Sequence, residues 1–195
     1  MAPARKHDTD LILDAARTLV LREGPRATSV AAIARESGAP VGTLYHRFGS
    51  RDGVLAAAWL RALEAFQHMA LEAALDPDAL EGAVQMALSQ IRFARERPQD
   101  ARLLLTLRRR DLLDGDSDDV FRGRLDAINA PLEATLELLA ERLRGSADSR
   151  SLEAVTRAVV DLPSATVRRH LRDGVELPAW VETDIATAAR GLLAL

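Results

Sequence analysis

The feature that most constrains this chain is a spacing of apolar residues by threes and fours. It is clearest over residues 118–144, "DDVFRGRLDAINAPLEATLELLAERLR". There Phe121, Leu125, Ile128, Leu132, Leu136, Leu139 and Leu143 share one side of a helix. A half-buried strand would alternate with period two, and no segment of the 195 residues does so convincingly. The same helical spacing recurs along the chain. Residues 8–22 set Leu11, Ile12, Ala15, Ala16, Leu19 and Val20 on one face, and Gly24–Pro25 stop the run. Residues 28–38 open on Thr28 or Ser29 as N-cap, point Val30, Ile33 and Ala34 inward and end at Gly38. Helices are further predicted over 40–48, 51–75, 78–96, 98–113, 118–144, 149–172 and 178–194. The reading is an all-α chain of about nine helices, with bends at Pro131 and Pro163.

Composition narrows the chemistry. Aromatic residues are only 4%, so the core must rest on Leu, Ala, Val and Ile. There is no cysteine, which removes disulfides, thiolate metal sites and thiol nucleophiles. Apolar runs such as "VLAAAWL" fall far short of the roughly 18 residues a membrane span needs, and the N-terminus lacks a signal-peptide core. A soluble, cytoplasmic protein without membrane association is expected. The net charge of −3 is unevenly spread. Residues 1–53 carry 8 Lys and Arg against 6 Asp and Glu, and the remainder carries 18 against 23. A mildly basic end suits phosphate better than the rest does, although so small a difference also arises by chance.

The stretch "ESGAPVGTLYHRFGSRDGVL" (36–55) then stands out, because it builds a very short helix between two glycines. Leu44 and Phe48 face inward, while Pro40, Val41, Thr43, Tyr45 and His46 face outward and Gly42 permits close approach. Residues 28–48 thus read as helix, glycine-containing turn, helix, the plan in which the second helix enters the DNA major groove. Each outward residue alone would serve as an ordinary surface side chain. Together they place hydroxyls and ring donors where phosphate and base-edge contacts need them.

"TSVAAIARESGAPVGTLYHRFGSRDGVLAAAW" resembles the DNA-binding head of TetR-family transcriptional regulators. The resemblance is carried by Gly38, Gly42-Thr43-Leu44-Tyr45, Phe48 and the Ser50-basic-acidic opening of a long fourth helix. By motif it covers residues 8–60; beyond them only helix number and lengths agree. It implies a head over residues 1–50 and a ligand-binding and dimerisation body over 51–195. It also implies phosphate contact by the hydroxyl opening helix two, here Thr28 or Ser29, and DNA contact by Pro40, Val41, Thr43, Tyr45 and His46. The basic residue opening helix four, commonly Lys, is Arg51, and Arg5 and Lys6 would suit a basic arm. Three positions depart from the family pattern. Pro40 and Val41 replace a more polar pair, which shifts base reading toward thymine methyls. Gly49 stands where proline is common. Gly53 replaces an acidic residue and should weaken the first turn of helix four by up to about 1 kcal/mol relative to alanine.

For the body, the resemblance implies a pocket among helices four to seven. Trp59, Phe66, Met69, Met86 and Phe93 are candidates for its wall, and His68, Gln85, Ser89, Arg92 and Thr106 for orienting a ligand; for any one of them core or surface packing is the commoner role. Two terminal stripes suit a four-helix dimer bundle: Leu152, Val155, Val159 and Leu162, then Val181, Ile185, Ala188 and Leu192. They would also pack within their own chain. The partners expected are a double-stranded DNA operator, a small-molecule effector and a second copy of the chain, with no cofactor. An enzyme is disfavoured. His7, His46, His68 and His170 form no paired metal motif, and "DGDSDD" counted as a calcium loop from Asp114 puts Asp119 at the glycine and Leu125 at the bidentate acid. The alternative readings are a helical small-molecule-binding enzyme and a protein-interaction module without sequence-specific DNA binding.

Overall fold

In the computed structural model the described residues are 9–107, 112 and 118–194. The basic arm at Arg5 and Lys6, His7, the arginine run 108–110 and most of the acidic loop from Asp114 lie outside them. Among the described residues there are nine helical segments and no strand. They are α1 (Thr9–Glu23), α2 (Val30–Ser37), α3 (Val41–Phe48), α4 (Arg51–Ala73), α5 (Ala79–Glu96), α6 (Pro98–Thr106) and α7 (Asp118–Arg144). One unbroken run follows: α8 (Ser149–Thr156), a π turn (Arg157–Asp161) and α9 (Leu162–Asp173). Then comes α10 (Trp180–Leu193). No described helix is long and apolar enough to cross a membrane.

The chain forms two compact units. The first joins residues up to Leu63 with Gln99–Arg124, and the second joins Glu64–Pro98 with Leu125–Leu195. In the first unit, α1 packs on α2 and α2 on α3 around Ile12, Leu19, Ile33 and Leu44. Leu11, expected inward, is exposed, and Leu13 is buried in its stead. Arg17 of α1 reaches α6, where its Nη1 donates to Asp100 at 2.5 Å, and it also pairs with Asp14 at 3.1 Å. Arg61 of α4 pairs with Asp14 at 2.6 Å and Asp10 at 2.9 Å. α6 ends at Thr106, short of the Leu113 expected from periodicity.

In the second unit α5 is central, with Val84, Met86, Leu88 and Ile91 buried, and it packs against the π turn, α9 and α10. The bend expected at Pro163 is instead a π turn just before it. Proline has no N–H to give the carbonyl of Val159 and its ring crowds that oxygen. The Gln90 side chain supplies the donor, giving its amide hydrogens to Val159 O at 3.0 Å and Val160 O at 3.1 Å. Ser164 Oγ in turn donates to Gln90 Oε1 at 2.7 Å. α7 runs on through Pro131, which sits on its exposed side, so the carbonyl left without a helical donor faces water.

Candidate nucleic-acid interface

The turn between α2 and α3 is fixed by capping chemistry. Ser29, not Thr28, is the N-cap of α2, and its Oγ accepts from Ala32 N at 3.1 Å. Thr28 is 1% exposed and donates its hydroxyl to Gly24 O at 3.0 Å. It therefore closes the α1–α2 turn and cannot meet a phosphate, whereas Ser29 is exposed. Gly38 ends α2 at φ 70°, and Gly49 ends α3 at φ 74°, the left-handed region that glycine enters freely. Pro40 sits at the N-cap of α3, where a missing N–H costs nothing.

α3 is anchored by one side and open on the other. Leu44 is fully buried and Phe48 half-buried. Pro40, Val41 (43% exposed), Tyr45 (52% exposed) and His46 face solvent, with Thr43 half-buried beside them. Gly42, Thr43, His46 and Arg47 line a groove of about 410 Å³ along this face. Arg47 also donates to Thr9 Oγ1 at 3.0 Å, which ties α3 to α1. Of the residues expected to face outward, Pro40, Val41, Tyr45 and His46 are exposed and Thr43 is half-buried.

Arg51 is placed differently from the expectation. Its guanidinium donates to Thr28 O at 2.6 Å and to Pro25 O, and it pairs with Asp52. Those bonds turn it inward onto the α1–α2 connection, so it holds the turn rather than presenting a free cation. Gly53 also has a role the sequence concealed. A Cβ there would overlap the Phe48 carbonyl oxygen and lie 3.1 Å from its carbon. The absence of a side chain lets α4 start hard against the end of α3, so glycine here is a requirement of the corner rather than a weakness of the helix.

The ligand-site candidates are divided between the two units. Trp59 belongs to the first unit, its ring 6.1 Å from Phe121 and its Nε1 buried without a partner. Thr106, in the same unit, is exposed and its hydroxyl donates to Arg102 O of its own helix. In the second unit Phe66 meets Phe93 edge-on at 5.4 Å, and Met86, Ser89 and Phe93 are buried. Ser89 spends its hydroxyl on Met86 O at 2.6 Å, Arg92 binds Gln85 at 2.6 Å, and Met69 is half-buried. His68 lies on the solvent side of α4 beside Glu72, away from the inward face. A groove of about 360 Å³ in the first unit is lined by Phe48, Gly53, Leu60, Val120, Phe121 and Arg124 among others, and by none of these candidates. Among the described residues no cluster of acids and histidines could hold a metal.

The dimer stripes require a correction. Val155, Val159, Val181 and Ile185 are buried within the single chain, because α5 and the α8–α10 contact already use that face. Leu152, Leu162, Ala188 and Leu192 are half-exposed and remain available. Gln67 and Asn129 are not singled out by helical periodicity. Gln67 Nε2 donates to Asn129 Oδ1 at 2.8 Å, and each residue interrupts an otherwise apolar helix face. That interruption was the signal that could have found them.

A capped two-helix turn presenting the open side of a short helix has the helix-turn-helix plan. Over residues 12–58 the chain matches the family described as "Bacterial regulatory proteins, tetR family". Its fold is shared along nearly the whole chain by solved structures. A TetR family transcription regulator from Marinobacter aquaeolei VT8 is 19% identical with a TM-score of 0.73, over 94% of each chain. The fatty acid degradation regulator FadR from Bacillus halodurans is 15% identical with a TM-score of 0.70, over 100% of this chain and 97% of that one. The regulator PfmR from Thermus thermophilus is 20% identical with a TM-score of 0.65, over 94% and 96%. No curated protein matches the chain in sequence.

Proposed function

We propose that this chain is a TetR-family transcriptional regulator, a homodimeric repressor that binds a near-palindromic operator and is released by a small apolar or amphipathic effector. The observation that carries the DNA-reading part is the exposed face of α3, with Pro40, Val41, Thr43, Tyr45 and His46 on one side and Leu44 buried on the other. Tyr45 and Ser29 are assigned to phosphates, and Val41 and Pro40 to thymine methyls, with His46 and Thr43 at base edges or phosphate. The working division is a DNA-binding head over residues 1–50 and a ligand-binding and dimerisation part over 51–195. One short helix reads few base pairs, so two heads about 34–36 Å apart are needed to read successive major grooves. The dimer surface is assigned to the outward side of α8–α10, including Leu152, Leu162, Ala188 and Leu192. Effector and DNA favour different spacings of the heads, with a reciprocal coupling of about 1–3 kcal/mol.

The test is selection from random duplex DNA at near-physiological salt. An enriched near-palindrome with half-sites about one helical turn apart supports the reading. Retention without enrichment, vanishing as salt rises, reduces it to phosphate attraction and rejects sequence reading.

A further inference from the structure

α4 and α7 each carry one amide on a face that is otherwise apolar. Ala62 and Ala70 are the buried residues flanking Gln67 along α4, and Asn129 stands between Leu125 and Leu136 on α7. The two amides meet at 2.8 Å, with Gln67 donating to Asn129. Gln67 is 3% exposed, and its Oε1 is sealed from solvent and accepts no hydrogen bond among the described residues. Turning both amides over exchanges oxygen for nitrogen but leaves the tally unchanged: one polar atom of Gln67 is bonded and the other is orphaned. Burying a polar atom without a partner is costly, and an apolar side chain of the same length would remove that cost.

We infer that Gln67, supported by Asn129, is the polar anchor for the effector, and that the effector is an uncharged molecule with an apolar body and one hydroxyl, amide or carbonyl group. The inference rests on the effector-responsive reading above. The effector's charge follows from the donors present. Both residues are neutral amides that hydrogen-bond only to each other, so an ionised group placed there would be buried without a counter-charge. The apolar body follows from the alanines and leucines on either side.

The experiment uses the whole protein, wild type and Gln67→Met, with 1-octanol and octanoate as probes. It reads the thermal midpoint and release of a duplex selected as above. 1-Octanol is expected to raise the wild-type midpoint saturably and to bind Gln67→Met about ten-fold more weakly, the loss of one hydrogen bond. Octanoate is expected to bind wild type less tightly than octanol does. Without probe, Gln67→Met is expected to unfold no earlier than wild type, since the orphan is gone. Equal octanol affinity for both proteins, no saturable shift in wild type, or tighter octanoate binding would overturn the inference. Octanol that releases DNA equally from both proteins retains effector response and rejects Gln67 as its anchor. Octanol that binds through Gln67 and leaves DNA binding unchanged keeps the anchor and rejects the response.

Discussion

The Cα of Gly53, in the first turn of α4, lies against the carbonyl oxygen of Phe48, the last residue of α3. The obstacle is backbone, which cannot turn aside as a long side chain would. Gly53→Ala is therefore expected to open the α3–α4 corner and destabilise the protein by about 1–3 kcal/mol, against the usual gain from replacing a helical glycine. Thermal unfolding measures the destabilisation. Loss of affinity for the selected duplex beyond that of a distant, equally destabilised variant reports the opened corner.

Asp100 and Arg17 form a pair in which both side chains are largely buried, at 10% and 17% exposure. Asp100→Leu would leave the Arg17 guanidinium only the partly exposed Asp14 as a carboxylate partner, and should cost about 1–3 kcal/mol. Arg17→Met combined with Asp100→Leu should recover most of that loss, because no buried charge is left alone. Denaturant unfolding of the two single variants and the double variant measures the coupling. Additive losses would contradict it.

Gln90 does for the π turn what the missing proline N–H cannot. Gln90→Leu leaves Val159 O and Val160 O without their side-chain donor, with an expected cost of about 1–3 kcal/mol. Hydrogen exchange should rise at amides of the α8–α9 run while those of α1 and α2 stay protected. Unchanged protection around Val159 would show that the turn holds itself.

Asp148 is the N-cap of α8, and the Ser151 backbone N–H, aided by Ser146, holds its carboxyl below its ordinary value of 3.8. A carboxylate whose folded pKa is depressed contributes stability above its unfolded pKa, and that contribution is lost as pH falls through the folded one. Asp148→Asn keeps an accepting cap but has nothing to titrate. The gap between wild-type and Asp148→Asn midpoints should therefore shrink from pH 5 toward pH 2. A gap independent of pH would contradict the assignment.

Periodicity and punctuation made the helices legible. Gly38, Gly49 and the cap positions drew the head closely, and the outward face of α3 follows from Leu44 and Phe48 alone. What stayed hidden depends on partners distant in sequence. Whether Thr28 or Ser29 caps α2 turns on the Gly24 carbonyl that occupies Thr28. The inward turn of Arg51 depends on carbonyls more than twenty residues earlier. A stripe such as Val155 and Val159 announces that it is buried but not by which subunit, and here α5 of the same chain takes that face. The Gln67–Asn129 contact joins positions 62 residues apart, so only the two breaks in apolar pattern pointed to it.

The central claim is that the open face of α3 reads base sequence. The most direct test compares affinity for the selected duplex with affinity for a scrambled duplex at one fixed salt concentration, for wild type and for Val41→Glu. Val41 is exposed, so the fold should tolerate the change while the carboxylate meets the negative groove. Wild type should prefer the selected duplex by about 10³-fold or more, and Val41→Glu should lose that preference with its thermal midpoint unchanged. A folded Val41→Glu protein that keeps the wild-type preference would contradict the account.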